Sequence, residues 1–215
     1  MKKAILVSAI VLMATAGVQA AFIVEAHSSG KANANFTGTG SNSTKSTAIG
    51  CTASNSLFLT SAGSRDYVYK FTPGVDLDNT TLTAGTDLGN GDLASGLVSG
   101  TGIYNVYITW PASTNVNAAG AKLTITNDGT DVVIDMVNMN TGGTGNPGGN
   151  NAWLKIASNI SLTAGTTYTV TQTALAASYV SMRSHGVMWE QQIPEPASLL
   201  LLGAGALAVR KFRKA

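Results

Sequence analysis

Thirteen Lys and Arg against eleven Asp and Glu give this 215-residue chain a formal net charge of +2, which suggests a weakly basic protein until the charges are placed. Six of the bases (Lys2, Lys3, Arg210, Lys211, Arg213, Lys214) and one acid (Glu195) lie at the two ends, leaving seven bases and ten acids between them, net −3. A body of that sign has no basic stripe with which to release counterions, which excludes nucleic acid as a partner.

At the N-terminus, Lys2 and Lys3 precede the apolar stretch Ala4 to Ala16, and Val18-Gln19-Ala20 supplies small residues where a signal peptidase reads. Cleavage after Ala20 is expected, leaving Ala21 first, with an uncleaved anchor as the alternative. The chain divides into a signal peptide (1–20), a body (21–190) and a C-terminal segment (191–215). The body is long enough for one domain with a sizeable core. Cys51 is its only cysteine, so no intramolecular disulfide forms. Its thiol is either a small buried group or a partner for another chain.

Within the body the pattern is strand throughout: short β-branched and aromatic runs separated by Gly, Asn, Asp and Ser. The expected strands are Phe22–Glu25, Leu57–Thr60, Asp66–Thr72, Thr80–Thr83, Ile103–Trp110, Ala121–Asn127, Asp131–Val137, Trp153–Leu162, Thr166–Thr171 and Ser178–Glu190. Lys31–Ser56 and Asn138–Asn151 are expected as polar loops that add little to the core. Asn127-Asp128-Gly129 reads as a hairpin turn, because Asp-Gly tolerates positive φ, and Gln172–Ala177 as another turn. Alternation puts Tyr104, Val106, Ile108 and Trp110 on a core face, with Asn105, Tyr107 and Thr109 opposite. By the same rule Trp153 falls on the polar side of its strand unless a bulge shifts the register.

The C-terminal segment has a rigid turn, an apolar run and a basic stop. Pro194-Glu195-Pro196 disfavours helix and keeps the chain extended. The thirteen residues from Ala197 to Val209, as a helix, span about 20 Å, against about 30 Å of bilayer core. The run is therefore short for a permanent anchor. Arg210, Lys211, Arg213 and Lys214 are expected to stay on the cytoplasmic side. This order resembles the PEP-CTERM sorting tail of exported proteins in bacteria that make extracellular polysaccharide. The resemblance implies Pro194, Glu195 and Pro196 as the sorting motif, an exosortase as the processing enzyme, and a membrane hold that is transient. An ordinary membrane anchor is the alternative.

A second resemblance lies in the body. Gly102, the strand Tyr104-Asn105-Val106-Tyr107-Ile108-Thr109-Trp110 with Pro111-Ala112, the turn Asn127–Gly129, Gly148-Gly149 before Trp153, and a closing strand near Arg183 and Val187 are similar to the golvesin/xanthan-lyase type of carbohydrate-binding domain. It covers roughly residues 102–190. The resemblance implies an all-β protein with a jelly-roll-like antiparallel β-sandwich, here flanked by an N-terminal signal helix and a C-terminal hydrophobic helix. It also implies a non-catalytic module of polysaccharide-active proteins.

The residues themselves do not point to an enzyme. His27 and His185 are the two histidines, both expected at surface or edge positions. Gly-x-Ser-x-Gly is missing, and neither Asp135 nor Glu190 has a partner carboxylate in the pattern. Asp76 and Asp78, with Asp87 and Asp92, space oxygen donors around Asn and Gly as calcium prefers. Solvated turns using Asp for backbone hydrogen bonds are the competing reading. For sugar stacking, Trp153 beside Asn151 and Lys155 is the first candidate and Tyr107 with Asn105 the second. Core packing is the alternative for both.

The expected protein is an exported, non-catalytic one, held at the cell surface or in extracellular matrix and associated with exopolysaccharide. Assembly through protein–protein contacts is the second reading, and a secreted hydrolase the third.

Overall fold

A computed structural model describes residues 21–62, 65–96, 100–141, 148–177 and 179–192. Ala20, the sorting motif, the basic cluster and both expected terminal helices lie outside the described residues. Among the described residues no helix is long and apolar enough to cross a membrane.

Among the described residues, twelve antiparallel strands form three sheets. β1 (Phe22–Glu25), β6 (Gly102–Thr109), β9 (Leu154–Leu162) and β12 (Gly186–Gln191) make a four-stranded sheet in the order β1-β12-β6-β9. β2 (Phe36–Thr37), β5 (Asp66–Phe71), β7 (Ala121–Ile125), β8 (Val132–Val137) and β10 (Tyr168–Ala174) make a five-stranded sheet in the order β2-β5-β10-β7-β8. β3 (Ser41–Ser43), β4 (Ser56–Leu59) and β11 (Met182–Ser184) form a third sheet, β11-β4-β3, whose Leu57, Leu59 and Met182 join the main core. The result is an all-β sandwich.

Alternation explains the main core. Phe22, Val24, Tyr104, Val106, Ile108, Val187 and Trp189 come from the four-stranded sheet, and Tyr67, Tyr69, Phe71, Leu123, Ile125, Tyr168 and Val170 from the five-stranded one. Phe71 is the hinge pin between them. Its ring stacks on Trp189 at 5.3 Å and meets Phe22 at 5.4 Å and Tyr104 at 5.6 Å.

The other face of the four-stranded sheet is not open to water. Ile23, Tyr107 and Met188 point to it, and Trp153 closes over them with Ala21, Ala48, Leu82, Leu88 and Ala94 from the connecting segments. The sheet thus has apolar contacts on both faces, and the expectation that the segments around 31–56 contribute little to burial is corrected: Ser46, Ala48 and Ala53 are buried. That stretch also supplies β2 and β3, which its polar sequence hides.

Other expectations shift for local reasons. Thr80–Thr83 is not a strand: Thr80 Oγ1 donates to Asp78 Oδ1 and accepts from Leu82 N, and the Leu82 side chain packs in the covering layer. β10 runs on through Gln172 to Ala174, where a turn is expected, because Gln172 pairs with both Tyr67 and Leu123. The closing strand divides at His185 into β11 and β12. The 127–129 hairpin exists, but none of its three residues has positive φ. Asn127 instead braces a longer turn, accepting from Gly129 N at 2.5 Å and donating to Thr130 O at 2.8 Å. The register of β9 against β6 slips between Tyr104 and Tyr107, and Asn159 takes φ 60° there, as an Asn at a bulge can. Gly149 is required by contact: a Cβ there would lie 2.2 Å from Trp110 Cη2.

Replacing the pin tests this account. Phe71→Ala is expected to cost about 3–5 kcal/mol, read as a lowered urea midpoint with an unchanged slope.

Candidate functional site

Neither residue expected to stack on sugar is available to do so. Trp153 is fully buried. Its Nε1 donates to Ile49 O at 2.8 Å and its backbone N to Leu88 O at 3.0 Å. Tyr107 is equally buried, with its hydroxyl 3.3 Å from Glu190 Oε2. Both sit on the face that alternation marks as polar, and both are sealed by the second layer of connecting segments. Of the signal-cleavage pair, Ala21 is described: it is buried, and its N lies 3.4 Å from Thr80 Oγ1.

The four aspartates considered for calcium are taken up separately. Asp76 Oδ2 accepts from Thr72 N at 2.7 Å and Asn35 Nδ2 at 3.0 Å. Asp78 Oδ1 caps Thr80 N at 2.8 Å, and Asp87 Oδ1 caps Gly89 N at 2.8 Å. Asp92 pairs with Lys155 Nζ at 2.6 Å. Asp76, Asp78 and Asp87 thus brace nearby backbone N–H groups as turn aspartates do, and Asp92 is taken up by a lysine.

Glu25 and His185, which the sequence reading places at an edge or does not single out, form the most polar buried feature. Both are inaccessible to solvent. Glu25 ends β1 opposite Gly186. The carboxylate accepts from Lys31 N (2.8 Å), Thr52 N (2.9 Å), Thr52 Oγ1 (2.8 Å) and Ala53 N (2.9 Å). His185 Nε2 lies 3.0 Å from its Oε1. Burial by itself raises the pKa of this group, but the contacts from His185, Lys31, Ala53 and Thr52 outweigh it and hold it at about 2, against an ordinary 4.5.

Cys51 joins these two in the one group of three His, Cys, Asp or Glu ligand atoms within 4.8 Å of one another among the described residues. Ser46 N–H donates to His185 Nδ1 at 3.3 Å, which leaves Nε2 as the ring nitrogen facing Glu25. Burial and the Glu25 charge push the Cys51 thiol up, with Lys31 opposing, so it stays protonated. The arrangement is a hydrogen-bonded clasp that ties β1 to the turn at Lys31 and to the segment at Thr52.

The clasp shapes the surface beside it. Asn33 Nδ2 donates to Glu25 O at 3.0 Å and to Ala26 O at 3.1 Å, holding the 26–35 segment against the end of β1. An open groove of about 390 Å³ runs next to it, lined by His27, Ser28, Asn33, Phe36, Thr39 and Asn42 among others. Phe36 is half-buried, its ring backed by Tyr69 at 5.0 Å and Tyr67 at 5.6 Å. Gly40 lets the chain cross Tyr67 closely: a Cβ there would stand 2.2 Å from the hydroxyl, which is buried with no partner. An aromatic side chain among amide and hydroxyl side chains is the chemistry a sugar ring takes. The sequence reading misses this groove because its residues come from a stretch that looks like linker.

Glu190 is the second buried glutamate. Glu190 lies four residues beyond Gly186 on β12, roughly 13 Å along the strand from the Glu25 position. Burial pushes its carboxyl up, against N–H groups of Gly96 and Ser95 and the Tyr107 hydroxyl. Glycosidase pairs stand about 5 to 9.5 Å apart across a cleft.

The chain carries a PEP-CTERM protein-sorting motif at residues 192–214. That motif marks an exported chain with a C-terminal membrane-anchoring signal processed by an exosortase. The sandwich is similar to part of a xanthan lyase from Paenibacillus, with 18% identity and a TM-score of 0.51 over 83% of this chain and 13% of the lyase chain. An exo-β-1,3-galactanase from Phanerochaete chrysosporium aligns over 79% of this chain and 29% of its own at 12% identity, TM-score 0.39. This chain thus spans a small part of either enzyme, and the likeness to the lyase shows the fold. No curated protein matches the chain.

Two outcomes test the clasp. The folded pKa of Glu25 is below its unfolded value, so its contribution is complete above about pH 4.5 and lost as pH falls towards about 2. Glu25→Gln is expected to remove on the order of 3 kcal/mol of that acid-limb slope, seen by urea unfolding at pH 2 to 6. In the intact protein, Cys51 is expected to react with iodoacetamide at pH 8.5 about tenfold or more slower than in the urea-unfolded chain.

Proposed function

We propose that the sandwich binds extracellular polysaccharide without cleaving it, at the groove between His27 and Asn42, and that the exported protein is thereby associated with the cell surface or matrix. The observation that carries this reading is the groove itself: Phe36 backed by two tyrosines and flanked by Asn33, Asn42 and hydroxyls, open to solvent. The xanthan lyase contains a part of this fold within an enzyme that its name assigns to a polysaccharide, which supports the choice of ligand class. The sealed, separated glutamates and the protonated thiol support a non-catalytic role. Signal peptidase and exosortase are then its processing enzymes and the membrane a temporary partner.

A second reading, assembly through protein–protein contacts at the envelope, draws on exposed Val75 and Leu77, 67% and 66% accessible. Concentration-dependent sedimentation of the protein in the absence of glycan separates it from the first.

The test is affinity electrophoresis of the full chain in a detergent without a sugar headgroup, through gels holding neutral or acidic polysaccharides. Retardation is expected for the wild type. Phe36→Ala is expected to lose most of it, on the scale of about 1–3 kcal/mol for a ring-stacking aromatic, with a near-native melting temperature. No retardation by any polymer would sink the proposal.

A further inference from the structure

Arg183 is a buried cation with no carboxylate partner among the described residues. The registers Arg183↔Phe58 and Phe58↔Ser41 place three side chains in one row across the β11-β4-β3 sheet. Their neighbours Leu57, Leu59 and Met182 alternate with them and enter the main core, so the row occupies the opposite face. From β11 the arginine lies over Phe58, its Cζ 5.8 Å from the ring centre, and reaches β3, where Nη1 donates to Ser43 Oγ. The residue is only 8% exposed, and its Nε is buried with no hydrogen-bond partner.

Among the described residues Lys155 pairs with Asp92 and His185 Nε2 faces Glu25, and neither contact includes Arg183. Scarcity of acid is not the reason, since the body holds ten acids against seven bases. Removing a guanidinium from water without a counter-charge is unfavourable, and burial here pushes its pKa below the ordinary value. The planar fork is the side chain best matched to a carboxylate, which it holds through two parallel hydrogen bonds. Ser41 is exposed, and Phe58 and Ser43 are half-buried, so the row opens to solvent at β3. The same strand presents Asn42 to the groove on its other side.

We propose that Arg183, with Phe58, Ser41 and Ser43, receives a carboxylate of the bound polysaccharide, which makes the ligand an acidic, uronate-type polymer. This deepens the polysaccharide-binding reading above and rests on it. A chain draped over the edge of β3 meets the groove on one side and the guanidinium on the other. Phe58 supplies an apolar surface for the sugar ring, and the two serines supply hydroxyls.

The experiment uses the full chain in the same detergent, with polygalacturonate, polygalacturonate whose carboxyls have been reduced to alcohols, and a neutral glucan. Polygalacturonate is expected to bind most tightly. Carboxyl reduction is expected to weaken binding about tenfold or more, the usual scale for a charge-assisted hydrogen-bonded contact. Arg183→Gln should give the same loss for polygalacturonate and little change for the reduced polymer. Arg183→Lys, which keeps the charge but not the fork, should fall between. If Arg183→Gln does not fold, the reduced polymer against unmodified protein decides alone. Equal affinity for parent and reduced polymers overturns the carboxylate assignment and leaves polysaccharide binding standing. Binding to none of the three overturns both.

Discussion

One buried carboxylate organises the end of this sandwich. Glu25 terminates the first strand at a point where four segments meet: its own strand, the turn at Lys31, the segment at Thr52 and Ala53, and His185 at the break between β11 and β12. A buried carboxylate without partners is strongly unfavourable. Here backbone N–H groups saturate it, and three of those N–H groups belong to segments that lack a regular ladder of their own. The charge thus does for irregular backbone what a sheet does for strands.

Because that end is held, the connecting segments can roof the outer face of the β1-β12-β6-β9 sheet. This gives a small domain a second apolar layer without a disulfide and with few ion pairs. It also relocates function. The tryptophan and tyrosine best suited to meet a sugar become structural, and the open aromatic surface passes to Phe36 and Phe58, on either side of the short strands that the polar 31–56 stretch contributes. Strand edges are managed in the same economy: β8 and β9 end their sheets, and both carry register irregularities against their neighbours, a feature that discourages pairing with another chain.

Where strands are long and alternate cleanly, the sequence predicts them closely. Phe22–Glu25 is reproduced residue for residue, β5, β8 and β9 differ by one residue at one end, and β6 is shifted by one residue at both. The face of Tyr104, Val106, Ile108 and Trp110 is the core face, as read. The site was far less legible. Trp153 and Tyr107 have the right chemistry for stacking, but alternation reports only which residues share a face, not whether that face meets water. His185 reads as a polar residue in a Ser-His-Gly turn; its burial depends on Glu25, 160 positions away in sequence. Ser41–Ser43 has no strand signal of its own, and pairs because β4 presents it with an edge.

The primary sequence by itself determined where the protein goes and what class of fold it adopts. Its C-terminal sorting motif follows from local composition. The all-β body follows from a period of two, set by neighbouring residues. Only the tertiary structure decided which aromatics are exposed, which acid is neutralised and which arginine is not. Those properties depend on whether segments distant in the chain bring water, a backbone N–H or a counter-charge to a given atom, and no local pattern encodes that.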